Sequence, residues 1–202
     1  MIKEGNIDNF TQLKFLNKYL VETKGYIAGG CFKNILSGEK PKDIDVFFRN
    51  IDDFIEAKKL FSSNDKEFSL HYANDNVTAF KDNSNGIIIE LVSKEFANPV
   101  EMIETFDFTI TKFVMYREFD EALDKAVNKI FYHEYYFEHL FMKRLVLDDI
   151  ENISYPLGVF NRMLRYCSYG YIPCKETKLK MVEIIRENQG EINTGGLYEG
   201  KD

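Results

Sequence analysis

The sequence has little cysteine, little histidine, no tryptophan and no long apolar run. Its three cysteines, Cys31, Cys167 and Cys174, are odd in number and widely spaced, which excludes a disulfide framework within the chain. Three histidines without a Cys-x-x-Cys pair offer no credible zinc site. No apolar run reaches the ~18 residues that a membrane span needs. We therefore expect a protein of the reducing cytoplasm with no membrane partner. The abundance of Lys, Asn, Ile, Phe and Tyr is typical of an AT-rich genome and leads us to expect a bacterial or viral host cytoplasm.

The sequence also lacks the positive charge of a protein that binds nucleic acid over its whole surface. Its formal net charge is −7 at pH 7. Residues 1–134 contain 17 Lys/Arg and 23 Asp/Glu, whereas residues 135–190 contain 8 and 7. Any surface that binds a polyanion must therefore be local, and the second segment is the better place to find it.

What the sequence does contain is enough apolar material for a large core. Of its 202 residues, 45% are hydrophobic and 15% are aromatic, which indicates one large domain or one domain with a short extension. Helical and strand patterns alternate over the first two thirds, and helical patterns follow. We predict an α/β (α+β) head domain over residues 1–134, a helical neck-like subdomain over 135–190 and a loose tail over 191–202.

Apolar periodicity and turn residues predict the individual elements. Asp8 is the predicted cap of the first helix. The predicted helices cover residues 8–24, 31–36, 51–61, 100–105, 135–147, 156–166 and 176–187. The predicted strands cover residues 26–28, 43–48, 68–72, 77–80, 87–92 and 108–116.

A pair of glycines, Gly29-Gly30, lies between a short predicted strand and the start of a predicted helix. Glycines at such a junction let backbone N–H groups approach an anion closely. The pair is therefore a candidate cradle for a triphosphate. It belongs to neither the Walker loop nor the Gly-x-Gly-x-x-Gly pattern, and a Gly-Gly pair taken alone is far more often a simple turn.

Two aspartates, Asp43 and Asp45, lie two residues apart on a predicted strand. Because side chains alternate along a strand, both carboxylates project from the same face. Mg²⁺ takes one or two protein carboxylates together with phosphate oxygens of the substrate. The pair is thus a candidate metal site, and its alternative interpretation is the solvated end of a strand.

A single glutamate, Glu90, interrupts the apolar run Ile87-Ile88-Ile89-Glu90-Leu91-Val92. A carboxylate in so apolar a segment needs a partner, a metal or a place at the surface. If this strand lies beside the strand of Asp43 and Asp45, Glu90 completes a three-carboxylate site for two metals roughly 3.5–4 Å apart. The alternative is an ordinary glutamate at a sheet edge.

Together, the Gly-Gly turn, the Asp-x-Asp strand and the later glutamate resemble the nucleotidyltransferases of the DNA polymerase beta superfamily. The similar branch contains bacterial poly(A) polymerases and tRNA CCA-adding enzymes. In that branch a Gly-Gly turn is followed by a short helix, a Pro-Lys-Asp-hydrophobic-Asp segment and a third carboxylate. Here these features are Gly29-Gly30, Cys31–Leu36, Pro41-Lys42-Asp43-Ile44-Asp45 and Glu90.

Two later stretches resemble the same branch in the same order. Residues 106–111, Phe-Asp-Phe-Thr-Ile-Thr, are similar to its Arg-Arg-Asp-Phe-Thr-Ile-Asn motif, which shapes the nucleotide sugar site. Residues 155–166 are similar to its neck segment Asp-Pro-x-Arg-x-x-Arg-x-x-Arg-Phe. The resemblance covers residues 25–175, and it implies a polymerase-beta-like nucleotidyltransferase head with a mixed sheet and flanking helices, followed by a small helical neck.

The resemblance implies Mg²⁺-dependent transfer of a nucleoside monophosphate from an NTP, most simply ATP, to an acceptor hydroxyl, with release of pyrophosphate. The implied acceptor is an RNA 3′ end. Asp43, Asp45 and Glu90 are the implied catalytic residues and the implied ligands of two Mg²⁺ ions. The implied nucleotide-binding residues are Gly29, Gly30, Lys33, Lys42, Asp107, Thr111, Arg162 and Arg165.

Several of these residues also have a plainer interpretation. Arg162 and Arg165 lie three apart on one helix face, where they either meet the incoming nucleotide or form a solvated basic edge. Lys42 either contacts phosphate or extends along the surface into solvent. Asp107 either orders the nucleotide pocket or caps local backbone. Cys31 is expected to be a small buried residue.

The sequence departs from that branch at several positions. Lys33-Asn34 stands where the branch has Arg-Asp, Thr105-Phe106 replaces the paired arginines, and Thr111 replaces the asparagine. We find no copy of the Glu-Asp-x-x-Arg motif that reads ATP and CTP, and the 202 residues stop short of the body and tail domains. We therefore expect a compact, divergent member. Two alternatives stay open: nucleotidylation of a protein, small molecule or tRNA by a toxin- or defence-type enzyme, and an inactive binding module of the same fold.

Overall fold

The computed structural model describes residues 1–21, 23–148 and 155–187 and has a mixed α+β fold. Its chain divides into two compact units, of which the first comprises Met1–Thr105 with Thr111–Glu134. The second comprises Phe106–Ile110 and the chain from Tyr135 onward. The predicted loose tail over 191–202 lies outside the described residues. Among those residues, no helix is both long and apolar enough to cross a membrane.

An eight-stranded sheet organises the first unit, in the order β1-β8-β7-β2-β3-β6-β5-β4. β3 and β6 pair in parallel, and every other neighbouring pair of this sheet is antiparallel. The sheet is therefore mixed, as predicted. Its strands are β1 (Ile2–Gly5), β2 (Tyr26–Ala28), β3 (Asp43–Phe48), β4 (Phe68–Ala73), β5 (Val77–Asp82), β6 (Ile88–Glu95), β7 (Phe113–Asp120) and β8 (Lys125–His133).

Four α-helices accompany this sheet in the described part of the first unit. They are α1 (Asn17–Leu20), α2 (Cys31–Leu36), α3 (Ile51–Ser63) and α4 (Pro99–Glu104). The longest, α3, begins where the side chain of Asn50 accepts a hydrogen bond from the N–H of Asp53, a common helix cap. Its buried aromatic residues pack on the sheet, since the ring of Phe61 lies 5.5 Å from that of Phe80 and 4.4 Å from that of Phe68.

A buried carboxylate, Asp82, ties the N-terminal segment to the sheet. Its side chain is fully buried and accepts hydrogen bonds from Lys18 Nζ at 2.7 Å and Tyr19 Oη at 2.8 Å. Ser84 donates to its second oxygen from both the backbone N–H and the hydroxyl. Burial alone would raise the pKa of Asp82, but these donors outweigh it and hold the pKa well below its usual value. The ionised carboxylate therefore stabilises the fold.

The second unit is mostly helical in its described part. It contains α5 (Tyr136–Phe141), α6 (Pro156–Ser168) and α7 (Lys175–Glu187), with a short parallel pair of strands, β9 (Arg144–Leu145) and β10 (Ile172–Pro173). Buried Thr177 joins α7 to β9 because its hydroxyl donates to the carbonyl of Leu145 and accepts from the N–H of Leu147.

Local structure departs from the sequence predictions at both ends of the first unit. The predicted helix over 8–24 is instead two 3₁₀ segments, Ile7–Asn9 and Thr11–Leu16, followed by the single turn of α1. Asn6, rather than Asp8, supplies the first cap. The predicted strand over 108–116 begins only at Phe113, after a 3₁₀ turn at Thr109–Thr111.

Other boundaries also differ. The strands β1, β8, β9 and β10 were not predicted, and the predicted helix over 135–147 ends at Phe141. By contrast, α2 and β3 have the predicted bounds. Lys33 lies in α2, and Asp43 and Asp45 lie in β3, so these three candidate site residues belong to elements whose bounds the sequence predicts.

Candidate active site

The two parallel strands β3 and β6 bring the candidate carboxylates together. Ile44, Val46 and Phe48 are buried on one face of β3, so Asp43 and Asp45 project from the other. In the register of the pair, Asp45 lies directly opposite Glu90. Neighbouring strands are about 4.8 Å apart, and paired residues project on the same side. The predicted condition that the strand of Glu90 lies beside the strand of the two aspartates is therefore met.

This register extends across five strands of the sheet. Ala28 of β2 pairs with Asp45, and on the other side Glu90 pairs with Ala79 of β5, which pairs with Tyr72 of β4. We call these five residues the carboxylate row. The two acids are thus neighbours, each with an alanine on its outer side, and Tyr72 follows beyond Ala79.

Tyr72 is a site residue that sequence reasoning missed. Its hydroxyl donates a hydrogen bond to Oε1 of Glu90 at 2.7 Å. Burial, followed by this hydrogen bond and by the charges of Glu90, Asp45 and Asp43, raises the pKa of the phenol. Tyr72 therefore keeps its proton at neutral pH and acts as a hydrogen-bond donor.

The thiol of Cys31 lies within the electrostatic reach of the same carboxylates. Burial raises its pKa well above the usual value, and the charges of Asp45 and Asp43 add to this effect. Cys31 is a small buried residue, as predicted, and its neutral thiol is unsuited to nucleophilic attack.

The Gly-Gly turn lies between β2 and α2, as the sequence predicted, but its two glycines differ. Gly29 has a φ of +92°, a conformation that L side chains rarely adopt. Its N–H donates to the carbonyl of Phe113 at 3.1 Å, so Gly29 shapes the turn rather than offering a donor to an anion. Gly30 is the residue from which α2 begins.

The two candidate lysines of the first unit have different surroundings. Lys33 lies in α2, is half-buried, and its Nζ donates to the side-chain oxygen of Asn34 at 2.5 Å. The pair that replaces Arg-Asp of the similar branch is therefore joined by a hydrogen bond. Lys42 is exposed beside Asp43, and its carbonyl accepts from the N–H of Ile88.

The carboxylates suit Mg²⁺ in donor type and placement. Asp43 and Asp45 share a face, and Mg²⁺ requires no more than one or two protein carboxylates because waters and phosphate oxygens complete its shell. Within residues 1–21, 23–148 and 155–187, no group of three or more His, Cys, Asp or Glu side chains is placed so that it could hold a metal ion. Glu90 instead has one oxygen engaged by Tyr72. The fit to the metal therefore rests on the two aspartates, and Glu90 lies on the neighbouring strand.

In the second unit, Asp107 and Arg162 form a short ion pair. Arg162 Nε donates to Oδ2 of Asp107 at 2.5 Å, and the N–H of Phe108 donates to Oδ1 at 2.9 Å. The carboxylate is nearly buried, whereas the guanidinium is 44% exposed. Asp107 thus both caps local backbone and orients Arg162.

The two remaining predicted nucleotide-binding residues are Arg165 and Thr111. Arg165 is exposed on α6, one turn after Arg162, and Thr111 is buried in the first unit. Near Asp107 in the second unit, buried Thr109 shares a hydrogen bond of 2.8 Å with Nδ1 of His139. Burial, together with the charge of Arg144, lowers the pKa of His139, so its imidazole is neutral at neutral pH.

Comparison with protein families gives one match. The model described as "Gad2: Gabija anti-defense 2 family protein" matches residues 5–143, more than half of the chain. The comparison with curated proteins gives no match.

Comparison with solved structures finds CCA-adding enzymes. The chain is similar to the Thermotoga maritima CCA-adding enzyme complexed with tRNA, with a TM-score of 0.55 and 14% identity over 93% of this chain and 46% of that one. It is also similar to CCA-adding enzymes complexed with CTP, with a TM-score of 0.59, and with ATP, with a TM-score of 0.57, each at 16% identity over 93% of this chain and 46% of that chain. The chain therefore spans about half the length of these structures and has a nucleotidyltransferase-like fold.

Proposed function

This chain belongs to the Gabija anti-defense 2 family, and from its carboxylate row we propose that it is a compact nucleotidyltransferase. It moves a nucleoside monophosphate from an NTP to an acceptor hydroxyl and releases pyrophosphate. The observation that supports this most strongly is the register of β3 and β6, which sets Asp45 beside Glu90 with Asp43 on the same face. The nucleotidyltransferase-like fold supports the same assignment.

The proposed reaction is an in-line displacement at the α-phosphorus. The acceptor oxygen forms a bond to phosphorus, the bond to the bridging oxygen of the pyrophosphate breaks, and the acceptor proton is lost. Little covalent chemistry is required of the protein, so positioning and charge neutralisation supply most of the rate. Mg²⁺, when bound, supplies neutralisation of the phosphate charge and acidification of the acceptor hydroxyl.

Each residue of the first unit has a distinct proposed task. Asp43 and Asp45 would hold both metals, and Glu90 would hold the metal that activates the acceptor. The turn shaped by Gly29 lets Gly30 approach the triphosphate, while Lys33 and Lys42 supply positive charge. Thr111 is the proposed contact to the sugar.

In the second unit, we propose that Arg162 and Arg165 bind the nucleotide, with Asp107 orienting Arg162. The ion pair at 2.5 Å supports this role because it restricts the guanidinium before any ligand arrives. ATP is the proposed nucleotide and an RNA 3′ end the proposed acceptor, by likeness to solved enzymes complexed with ATP and with tRNA. All three cysteines carry free thiols, which suits the reducing cytoplasm that we propose as the place of action.

The experiment that tests this function follows label from each α-labelled NTP onto small RNA in the presence of Mg²⁺. The double variant Asp43→Asn/Asp45→Asn is expected to lower transfer by more than about 100-fold, because both oxygen pairs that hold the metal lose their charge. The matched control is Asp65→Asn/Asp75→Asn, which changes the same net charge at two exposed positions. Full transfer by the first double variant would contradict the assignment.

A second candidate function changes only the acceptor. The family description names an anti-defense role, and the net charge of −7 disfavours a broad RNA-binding surface. The family description favours a protein, a small molecule or a tRNA of the defence system as the acceptor, and the net charge favours the first two of these. Label on protein or on a small molecule, sensitive to the same double variant, would support this candidate. Absence of Mg²⁺-dependent NTP binding would instead indicate an inactive binding module.

A further inference from the structure

The edge strand β4 contains an irregularity that determines which side chain joins the carboxylate row. Phe68 pairs with Asp82 and Leu70 with Phe80, but the next pair is Tyr72 with Ala79, so His71 is an extra residue. In a regular antiparallel strand His71 would lie opposite Ala79. Bulges of this kind re-aim side chains and are frequent next to active sites. Here the bulge places a phenol in the row.

The small side chain of Ala79 separates Tyr72 from Glu90 in that row. A methyl group leaves space for the phenol to extend across β5 to the next strand, where its hydroxyl meets Glu90 Oε1 at 2.7 Å. Distances of 2.5–2.7 Å are typical of O–H donors to a charged carboxylate, and such bonds are about twice as strong as neutral ones. The His71 ring contacts that of Tyr72 edge-on, with ring centroids 5.8 Å apart.

We propose that Tyr72 is a positioning residue for Glu90. It fixes the carboxylate through Oε1, which leaves Oε2 to serve the acceptor side of the site. The inference rests on the proposed function and adds a residue from a strand that contributes no other candidate. Carboxylates that bind metals are themselves usually hydrogen-bonded, and loss of such a partner typically costs about 10–100-fold in metal affinity or activity.

The test compares Tyr72→Phe with Tyr135→Phe, an exposed tyrosine at the start of α5. Mn²⁺ is the probe, and its binding to the nucleotide-free protein is measured by electron paramagnetic resonance. Tyr72→Phe is expected to raise the Kd for Mn²⁺ by about tenfold or more. In the label-transfer assay it is expected to lower kcat by about 10–100-fold while KM for the NTP changes less than about twofold, because Asp43 and Asp45 are untouched. Tyr135→Phe is expected to match the wild type in both.

A double-variant cycle shows whether Tyr72 acts through Glu90. In the Glu90→Gln background, Tyr72→Phe is expected to have no further effect on Mn²⁺ binding, since the charged acceptor of its hydrogen bond is already gone. Equal losses in both backgrounds, or wild-type binding by Tyr72→Phe alone, would overturn the proposal.

The same measurements separate this inference from the proposed function. A wild-type protein that binds Mn²⁺ but transfers no label would contradict the function, and the Mn²⁺ comparison would still decide the role of Tyr72. A wild-type protein that binds no Mn²⁺ would contradict both.

Discussion

The two faces of the sheet in the first unit have different tasks, although the same strands supply both. On one face, Phe48 and Phe80 of the strands pack against Phe54 and Phe61 of α3 and provide burial. On the other, Asp43, Asp45 and their neighbours leave polar groups within reach of solvent. Because side chains alternate along a strand, one residue of shift in register would bury the acids and expose the core. The packing of the apolar face therefore also fixes the positions of the carboxylates on the other face.

The largest expected effect is a loss of stability from a substitution in the contact between the sheet and α3. Phe61→Ala removes a buried ring that contacts Phe68 and Phe80, and it is expected to lower the free energy of unfolding by about 3–5 kcal/mol. Urea unfolding measures this change. Phe119→Ala, at a ring that is 60% exposed, is the control and is expected to change stability by less than about 0.5 kcal/mol. Comparable losses for the two variants would show that α3 does not stabilise this face.

On the face of Asp43 and Asp45, a substitution is expected to lower activity and to leave stability nearly unchanged. Asp45→Asn keeps the shape of the side chain but removes the charge beside Glu90, so label transfer is expected to fall by more than about 100-fold, equivalent to about 2.7 kcal/mol. The free energy of unfolding is expected to stay within about 0.5 kcal/mol of the wild type. An Asp45→Asn protein that is clearly destabilised but keeps the wild-type transfer rate per folded molecule would contradict this expectation.

Asp82 lies on the same face of β5 as Phe80, and its replacement is expected to affect stability rather than activity. Asp82→Asn weakens bonds from Lys18 and Tyr19 and is expected to lower the free energy of unfolding by about 2–3 kcal/mol at pH 7. Since the folded pKa of Asp82 is depressed, its stabilising contribution is complete above the unfolded pKa near 4. It is lost as the pH falls through the folded pKa.

Unfolding measured at pH 7 and below pH 4 checks this dependence. The difference in stability between the wild type and Asp82→Asn is expected to shrink at the acid end. A difference that stays constant with pH would show that the charge of Asp82 does not stabilise the fold.

The smallest expected effect concerns the Gly-Gly turn. Gly29→Ala and Gly38→Ala both force an L residue into a positive φ, +92° and +78°, and each is expected to cost about 1–2 kcal/mol of stability. An added Cβ at Gly38 meets no atom within 4 Å, so this variant reports the strain alone. Only Gly29→Ala is expected to weaken NTP binding as well, by about tenfold, in an equilibrium binding assay. Equal NTP affinities would remove Gly29 from the site.

Local residue patterns predict several of the elements of the first unit and part of its core. The alternation in 43–48 predicts both the strand and its acidic face, and the Gly-Gly turn predicts where α2 begins. Leu13, Leu16 and Leu20 are buried as their spacing suggests. The helix predicted there fails because Phe10 leaves the helical region, with a φ of −125° and a ψ of 57°.

What the sequence could not show depends on how strands pair and on contacts between residues far apart in the sequence. β8 lacks a strongly alternating apolar pattern, and its strand conformation is supported by pairing with β7 along its length and with β1 at its end. Tyr72 enters the site only through the bulge in β4, which leaves no signal in composition. Asp107 and Arg162 were each candidate residues, but their ion pair joins positions 55 residues apart and depends on tertiary structure.

The most direct test of the proposed function is transfer of label from an α-labelled NTP, compared between the wild type and Asp43→Asn/Asp45→Asn. With the wild type we expect Mg²⁺-dependent label on RNA, protein or a small molecule. With the double variant we expect near-complete loss of label, although its thermal unfolding transition stays that of the wild type. Equal transfer by both proteins, or no transfer by the wild type with any NTP and any of these acceptors, would contradict the proposed function.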